Sequence, residues 1–294
     1  MATALRRTAP AKLQALAAAG LRTPIGTDLV LHDRPDPEAI VLDGRRLAGV
    51  VVEAAQRYRT PLAIPLMDLR LEKADLLRIL RPDVVRTDAV ALAGRGAAED
   101  DEPLAAAARR TLLLAEIFVR RAVEAQIAAG AAAVIVCEPA ASAVFVSPRQ
   151  MSAGSPVFDC FVVEPLVRLR ALLDRSGVCL FLHDCGEATT AMVAALAGRV
   201  RPAVLSLGSS RRLGDDAAVV PEDVVLFGNL PTKHFYSDST MPLERVREAT
   251  RQLVARMREA GRPFILGSEC DVLHVPDAAA TIRRKVEAML TEAG

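Results

Sequence analysis

Continuous apolar runs recur along the chain and alternate with helical patterns. Each run joins β-branched and aliphatic residues with few polar positions between them, which is typical of a strand buried on both faces. Two weaker candidates for further strands lie at 25–31 and 84–87. The six clear runs lie at 60–67, 131–137, 178–182, 203–207, 224–228 and 263–267.

Between these runs, apolar residues recur every three or four positions, which predicts helices packed against a sheet. For the helix near 241, we expect Ser239 or Thr240 as the N-cap, Pro242 in the first turn and Gly261 at the end. The predicted helices lie at 104–130, 165–177, 187–198, 241–261 and 276–290.

Repetition of strand and helix through the chain predicts a parallel sheet with both faces covered, and we expect an α/β fold. A closed TIM-type (β/α)8 barrel is favoured over an open sheet for two reasons. No glycine-rich dinucleotide fingerprint follows the first strand, and polar residues follow the ends of many different strands. We expect one domain over 1–294, with 1–58 as an N-terminal helical segment leading into the barrel. The polar residues at strand ends are Asp68, Cys137, Glu138, His183, Cys185, Asn229, Glu269 and Cys270.

The composition of the chain limits which partners the protein is expected to bind and where in the cell it is expected to lie. Net charge is +1 and aromatic residues make up 3% of the chain, with no Trp, so no nucleic-acid surface is expected. The uncharged apolar stretch at 125–137 is too short to span a bilayer, and Lys12 and Gln14 interrupt the N-terminal run where a signal peptide would need an apolar core. An amphipathic surface helix is expected there instead. Five cysteines do not make a disulfide framework, so we predict a cytoplasmic protein with no membrane partner.

His183 and Cys185 are two residues apart at the end of one strand, so in extended chain their side chains leave the same face. Cys270 ends another strand in the same way, and a barrel would bring it to the same rim. One imidazole and two thiolates form a zinc ligand set with the fourth position open. The pattern alone leaves a zinc site and a chance grouping of buried thiols as equal alternatives.

The segments LHDCGEATTAM (182–192) and LGSECDV (266–272), followed by the helix at 276–290, resemble the uroporphyrinogen decarboxylase superfamily. Within it they are most similar to the zinc- and corrinoid-dependent methyltransferases. MDLRLEKADLL (67–77), GAAAVIVCEPAAS (130–142) and VVLFGNLPT (224–232) add weaker similarity, which runs from about residue 60 to the C-terminus.

The resemblance implies a TIM barrel with zinc held by His183, Cys185 and Cys270. It implies a methyltransferase that moves a methyl group between a corrinoid, carried by a partner protein, and a small acceptor. A thiol activated as the zinc thiolate is the leading acceptor. A homodimer is one option for the oligomeric state.

The resemblance also suggests roles for the remaining polar residues at the rim. Asp68 resembles the family's rim carboxylate, with a helix-capping role as the alternative. Glu138 is expected to anchor substrate or orient His183, with a turn residue as the alternative, and Asn229 to hydrogen-bond substrate or corrinoid. Glu269 is also expected to bind substrate. The fourth zinc position is either open to substrate or filled by Glu138 or Glu269.

Departures from the family keep other functions open. The arginine-rich R-Q-A-G-R run of the decarboxylases is absent, which disfavours porphyrin decarboxylation. The region between Leu92 and the helix at 104 is shortened, so one strand unit of the barrel is expected to be shortened or rebuilt, and Ser268-Glu269 replaces the frequent P-G. The alternatives are a transferase that loads the corrinoid from a methylated donor, a decarboxylase, and a non-catalytic barrel stabilised by zinc.

Overall fold

The computed structural model describes residues 2–67 and 102–293 of the chain. Their six strands are all parallel and lie in the spatial order β1-β6-β5-β4-β3-β2. Successive strands therefore add to one side, and the first strand pairs with the last, which is the winding of a TIM-type barrel. The strands are β1 (Arg22–Ile25), β2 (Ala133–Cys137), β3 (Cys179–Asp184), β4 (Val204–Leu207), β5 (Val225–Leu230) and β6 (Phe264–Asp271).

Helices follow most of the strands and cover the outside of the sheet. Two of them are continuous with π-helical turns: Asp159–Val163 precedes the helix Glu164–Arg175, and Leu196–Val200 follows the helix Thr190–Ala195. Short 3-10 turns lie at Thr232–His234 and Pro276–Ala278. The α-helices are α1 (Ala2–Ala18), α2 (Thr27–Leu31), α3 (Pro37–Val41), α4 (Gly44–Arg57), α5 (Glu102–Ala128), α6 (Pro148–Ser152), α7 (Glu164–Arg175), α8 (Thr190–Ala195), α9 (Leu213–Asp216), α10 (Leu243–Glu259) and α11 (Ala279–Thr291). None of the helices in the described part of the chain is long and apolar enough to cross a membrane.

Alternation along β3 separates two apolar cores. Leu180 and Leu182 belong to the outer core between the sheet and its helices, whereas Cys179 and Phe181 belong to an inner core inside the curved sheet. Because side chains in a strand alternate in direction, the next inward positions are His183 in β3 and Cys185, directly after the end of the strand. The strand therefore carries apolar residues in the barrel and polar residues at its carboxyl end.

Helix α1 closes the amino-terminal end of the inner core. Ala9, Leu13 and Ala17 are four residues apart, so they share one helix face, and all three are buried in the inner core. That core also holds Val204 and Val225, the first residues of β4 and β5. The predicted N-terminal amphipathic helix is present, and its apolar face plugs the end of the barrel opposite the predicted site.

Two strand predictions are wrong within the described residues. The segment 60–67 is assigned to no strand there, although Thr27 donates a hydrogen bond to the Ile64 carbonyl at 2.6 Å. The strand proposed at 25–31 ends at Ile25, and residues Thr27–Leu31 form α2, because a short apolar run fits a buried helix as well as a strand. The candidate at 84–87 lies outside the described residues.

The predicted start of α10 is also corrected. Its N-cap is Pro242, in extended conformation, and the helix begins at Leu243. Ser239 and Thr240 lie in the preceding turn, where the Thr240 amide donates to Ser237 Oγ at 3.4 Å. Proline lacks an N–H group and fixes its own φ, so it suits a helix start here better than the hydroxyl residues before it.

Candidate metal centre at the carboxyl ends of the strands

His183 and Cys185 lie on the inward side of β3, where the strand leaves the sheet. The His183 side chain is buried, with 1% of the residue exposed, and Cys185 is half-buried. His183 pairs in register with Cys137 of β2 and with Ser206 of β4. The imidazole is thus held between two neighbouring strands.

Gly186 allows the chain to turn directly after Cys185. A Cβ atom at Gly186 would lie 2.7 Å from the Pro139 carbonyl oxygen and 2.9 Å from Ser142 Cβ, closer than real contacts allow. The Gly186 amide donates to Asp184 Oδ1 at 2.8 Å, which closes the turn. The glycine of the H-x-C-G segment is therefore required for the loop after β3 to pack on the loop after β2.

Cys270 enters the site from a bulged stretch of β6. Thr23 of β1 pairs with Gly267 and Ile25 pairs with Asp271, so four residues of β6 span the length of two residues of β1. A bulge changes the direction of side chains in the strand that carries it. Cys270 lies in this stretch, and its Sγ reaches the His183–Cys185 pair.

Together the three side chains form a group that could hold a metal ion. One ligand atom from each of His183, Cys185 and Cys270 lies within 4.8 Å of the others. His183 Nδ1 is 2.9 Å from Ser206 Oγ, while the buried Nε2 has no hydrogen-bond partner among the described residues. A buried nitrogen without a partner beside two sulfur atoms fits a thiolate- and imidazole-binding metal such as zinc.

The two thiols differ in their tendency to ionise. The neighbouring Cys270 thiol first, and then the His183 ring, lower the pKa of Cys185 to about 4. The hydrogen bond to Cys185, together with burial, raises the pKa of Cys270 above its usual range. These opposite shifts favour ionisation of Cys185 over ionisation of Cys270.

Glu269 connects two loops at the rim. Its Oε2 accepts hydrogen bonds from the Ser209 hydroxyl at 2.6 Å and the Ser209 amide at 3.3 Å, and its Oε1 accepts from the Lys233 amide at 3.2 Å. Within residues 2–67 and 102–293, no Asp or Glu belongs to the group formed by His183, Cys185 and Cys270. Neither Glu269 nor Glu138 supplies a fourth ligand in this arrangement.

Glu138 follows β2 and contacts β3 through its backbone. Its amide donates to the His183 carbonyl at 2.8 Å, which fixes the loop after β2 beside the histidine. Burial raises the pKa of the Glu138 carboxyl to about 7, against the opposing effect of a hydrogen bond from the Ala140 amide. The carboxyl lies at the rim, where its predicted role as a substrate anchor stays a prediction.

Asn229 lies near the carboxyl end of β5, and its side chain holds the loop after β4 in place. Its side-chain amide nitrogen donates to the Gly208 carbonyl at 2.8 Å and to the Arg211 carbonyl at 2.9 Å. These bonds occupy both amide hydrogens, so a substrate contact would have to use the side-chain oxygen. Asp68, the remaining rim carboxylate predicted from the sequence, lies outside the described residues.

A sequence profile of the uroporphyrinogen decarboxylase family matches residues 106–289, which is well over half of the chain. The chain belongs to the uroporphyrinogen decarboxylase family. The family match includes His183, Cys185 and Cys270.

A comparison with curated proteins gave no match. Among solved structures, a methyltransferase from Methanosarcina mazei is similar to this chain with a TM-score of 0.48 and 17% identity. The alignment covers 87% of this chain and 66% of that protein, so this member of the uroporphyrinogen decarboxylase family spans about two thirds of that protein's length.

Sequence reasoning missed Ser206 and the aromatic floor below the site. Phe181 and Phe227 meet edge to face, with ring centroids 5.2 Å apart. A Cβ at Gly267 would lie 2.3 Å from the Phe227 ring, so that glycine makes room for it. One signal was visible for Ser206, which is a single hydroxyl residue in the apolar run AVLSL (203–207). In this uroporphyrinogen decarboxylase family member, that hydroxyl faces the imidazole.

Proposed function

We propose that this chain is a zinc-dependent methyltransferase that moves a methyl group between a corrinoid and a small acceptor, with a thiol as the leading acceptor. The observation that carries the proposal is the three-residue group with one imidazole and two sulfur atoms. Its buried Nε2 lacks a partner, and no fourth Asp, Glu, His or Cys of the described residues joins it. Three protein ligands with one position left for substrate are characteristic of catalytic zinc.

Each protein group has a defined part in this proposal. His183 Nε2 and the sulfur atoms of Cys185 and Cys270 hold the ion, while Ser206 and the backbone of Glu138 keep β3 in place beside them. Zinc held by these residues would lower the pKa of a substrate thiol that binds it, so that the thiol would be ionised at neutral pH. The buried Phe181–Phe227 pair closes the site from below, and substrate therefore enters from the carboxyl side of the sheet.

The chemical step is a nucleophilic displacement at carbon. The acceptor sulfur attacks the methyl carbon, a carbon–sulfur bond forms and the carbon–cobalt bond breaks. The electron pair of the broken bond stays with cobalt, and the thiol proton is released to solvent. Cobalt chemistry is supplied by the corrinoid, while the protein positions and ionises the acceptor.

Exposed apolar side chains on the rim support delivery of the corrinoid by a partner protein. They stand on the loops after β2, β5 and β6, around the same end of the sheet as the metal centre. Exposed apolar and aromatic side chains at a site entrance are typical of a protein-binding surface. These residues are Val144, Phe145, Tyr236, Leu273 and Val275.

The metal is tested first. Purified protein should contain about one zinc per chain, and His183→Ala and Cys270→Ser should lose most of it. Cys160→Ser is the matched control, since Cys160 is an exposed thiol away from the group. Folded wild-type protein that binds no zinc would contradict the proposal.

The transfer is tested with methylcobalamin, whose spectrum changes when the methyl group leaves. The zinc-loaded protein is mixed with a panel of thiols, and Cys185→Ser and Cys160→Ser serve as the inactive and active comparisons. Running the assay with reduced corrinoid and methylated donors tests the opposite direction. Transfer from methylated donors alone would reverse the direction proposed here.

Two further assays separate the remaining alternatives. Turnover of uroporphyrinogen with release of carbon dioxide would identify a decarboxylase instead. Zinc binding without either activity, in the presence of a corrinoid protein, would leave a zinc-stabilised binding protein.

A further inference from the structure

We infer that Ser206 is a positioning residue for the metal centre: its hydroxyl oxygen accepts the Nδ1 proton of His183, which leaves the Nε2 lone pair facing Cys185 and Cys270. The inference rests on the proposed function, because it concerns the ring that would hold zinc. It adds a specific task for a residue that carries no metal ligand atom of its own.

The pairing of strands β3 and β4 places Ser206 beside His183, and no loop is involved. Ser206 lies in β4 directly opposite His183 in β3, and Ser206 Oγ is 2.9 Å from His183 Nδ1. Both residues are buried. A contact made between two hydrogen-bonded strands is fixed by their backbone ladder, so the ring orientation is set when the sheet forms.

A neutral imidazole carries one proton, so the partner of one ring nitrogen decides what the other can do. One ring nitrogen of His183 lies in the group with the two sulfur atoms. Nδ1 is paired with Ser206, so Nε2, which has no hydrogen-bond partner among the described residues, is the nitrogen left for that group. To bind a metal through Nε2, the ring must keep its proton on Nδ1, where burial makes an acceptor necessary. Ser206 Oγ stands at that nitrogen.

The neighbours of Ser206 in β4 do not share this task. Leu205 and Leu207 belong to the outer apolar core, so Ser206 is the inward residue at this level of β4. It contacts His183 at Nδ1, which is not the nitrogen that lacks a hydrogen-bond partner. β4 therefore supports the centre from behind the imidazole and leaves the fourth ligand position to substrate.

The test compares Ser206→Thr with Ser206→Val in the full chain. The two side chains have nearly the same shape, but threonine keeps the hydroxyl and valine replaces it with a methyl group. Zinc affinity, measured by competition with a chromophoric chelator, should stay near wild type for Thr and fall about 10–100-fold for Val. The visible spectrum of the cobalt(II)-substituted protein should match wild type for Thr and change for Val.

Two controls separate positioning from general loss of structure. Thr250→Val removes a buried hydroxyl in α10 that bonds to the Val246 carbonyl, and it should leave zinc affinity unchanged. Ser206→Ala, which adds no new atoms, is measured alongside in case Val does not fit. Melting of the metal-free variants shows how much of any effect is fold stability.

The outcomes are distinct. If Val and Ala bind zinc as tightly as Thr and give the same cobalt spectrum, the role assigned to Ser206 is wrong. If wild type binds zinc but transfers no methyl group, the proposed function fails while the Ser206 comparison still stands. If folded wild type binds no zinc, the metal centre itself is wrong.

Discussion

At the scale of single residues, the metal centre depends on the space available at Gly186 as well as on the chemistry of the ligand side chains. Gly186 follows the cysteine ligand, and the backbone of Pro139 occupies the space that any side chain would need. The two loops can approach each other because this position has no Cβ. The metal ligands depend on a residue that contributes no ligand atom.

Gly186→Ala should therefore destabilise the fold by about 1–3 kcal/mol, because backbone must shift to relieve the contact. It should also weaken zinc binding, since Cys185 is the adjacent residue. Denaturant unfolding and zinc competition measure both effects. Gly49→Ala is the control, because its Cβ in α4 meets no described atom within 4 Å, and it should stabilise by about 0.5–1 kcal/mol. Equal stability of the two variants would contradict the argument.

A second residue-scale prediction concerns a pair of stacked histidines. The rings of His32 and His274 lie parallel with centroids 4.6 Å apart, and the His274 amide bonds to the Asp28 carboxylate. Burial first, and then the His32 ring and Arg283, lower the pKa of His274, with Asp28 and Asp33 opposing. The folded chain thus favours neutral His274.

A lowered pKa in the folded state contributes stability above the unfolded value of 6.5 and loses it as pH falls through the folded value. The free energy of unfolding should fall below pH 6.5, by no more than about 1.4 kcal/mol per pH unit for this proton. His274→Gln should reduce that slope, whereas His234→Gln, on an exposed loop, should not. Urea melts between pH 7 and 5 give the comparison, and an unchanged slope in His274→Gln would contradict it.

At the scale of elements, some strands could be predicted from the sequence more accurately than others. The runs at 178–182 and 203–207 match β3 and β4 closely, because these strands are buried on both faces and are therefore continuously apolar. The run at 131–137 contains β2, of which only Val134 is buried. The run at 60–67 has the same composition and no assigned strand. Only Ile64 of this run is buried. An apolar run therefore establishes neither the burial of its residues nor the neighbouring strand that a β-strand needs as a partner.

Some features of the metal centre could likewise be predicted from the sequence, and others could not. The meeting of His183, Cys185 and Cys270 could be predicted, because parallel strands bring their carboxyl ends to one rim. The Ser206 contact, the close approach at Gly186 and the bulge of β6 could not. Each depends on the register of two strands or the packing of two loops, and a single sequence does not contain those distances.

A substitution in helix α1 tests whether the stability of the fold and the zinc affinity of the site are independent of each other. Leu13→Ala should cost about 2–5 kcal/mol, because Leu13 is buried in the inner core. Zinc affinity should be unchanged in the folded protein, since α1 lies at the opposite end of the strands. Leu42→Ala is the control, at a leucine that is 73% exposed, and it should change stability by less than about 0.5 kcal/mol. Reduced zinc affinity in Leu13→Ala would show that the two ends are coupled.

At the scale of the whole molecule, the metal centre would join strands that are distant in sequence. β3 carries two of the ligands and β6 carries the third, with β4 and β5 between them. A ligand that binds the folded chain alone raises its stability in proportion to the logarithm of ligand concentration. The centre should therefore act on the unfolding of the entire described barrel.

Free zinc at one hundred times its dissociation constant should raise the free energy of unfolding by about 2.7 kcal/mol. Calorimetric melts with and without a chelator measure the shift. Cys270→Ser should melt at nearly the same temperature under both conditions, while Cys160→Ser should behave like wild type. A wild-type melting temperature independent of zinc would contradict the prediction.

The pairing of β1 with β6 also has a consequence for the order in which the protein is made. The Ile25 amide donates to Ser268 Oγ, across 243 positions of sequence, and Cys270 lies two residues further on. On the ribosome, His183 and Cys185 emerge long before Cys270. A nascent chain therefore cannot present all three ligands until residue 270 has emerged, and the segment that supplies the third ligand is the same one that pairs with β1. Maturation of the centre is in this way coupled to the joining of β1 with β6.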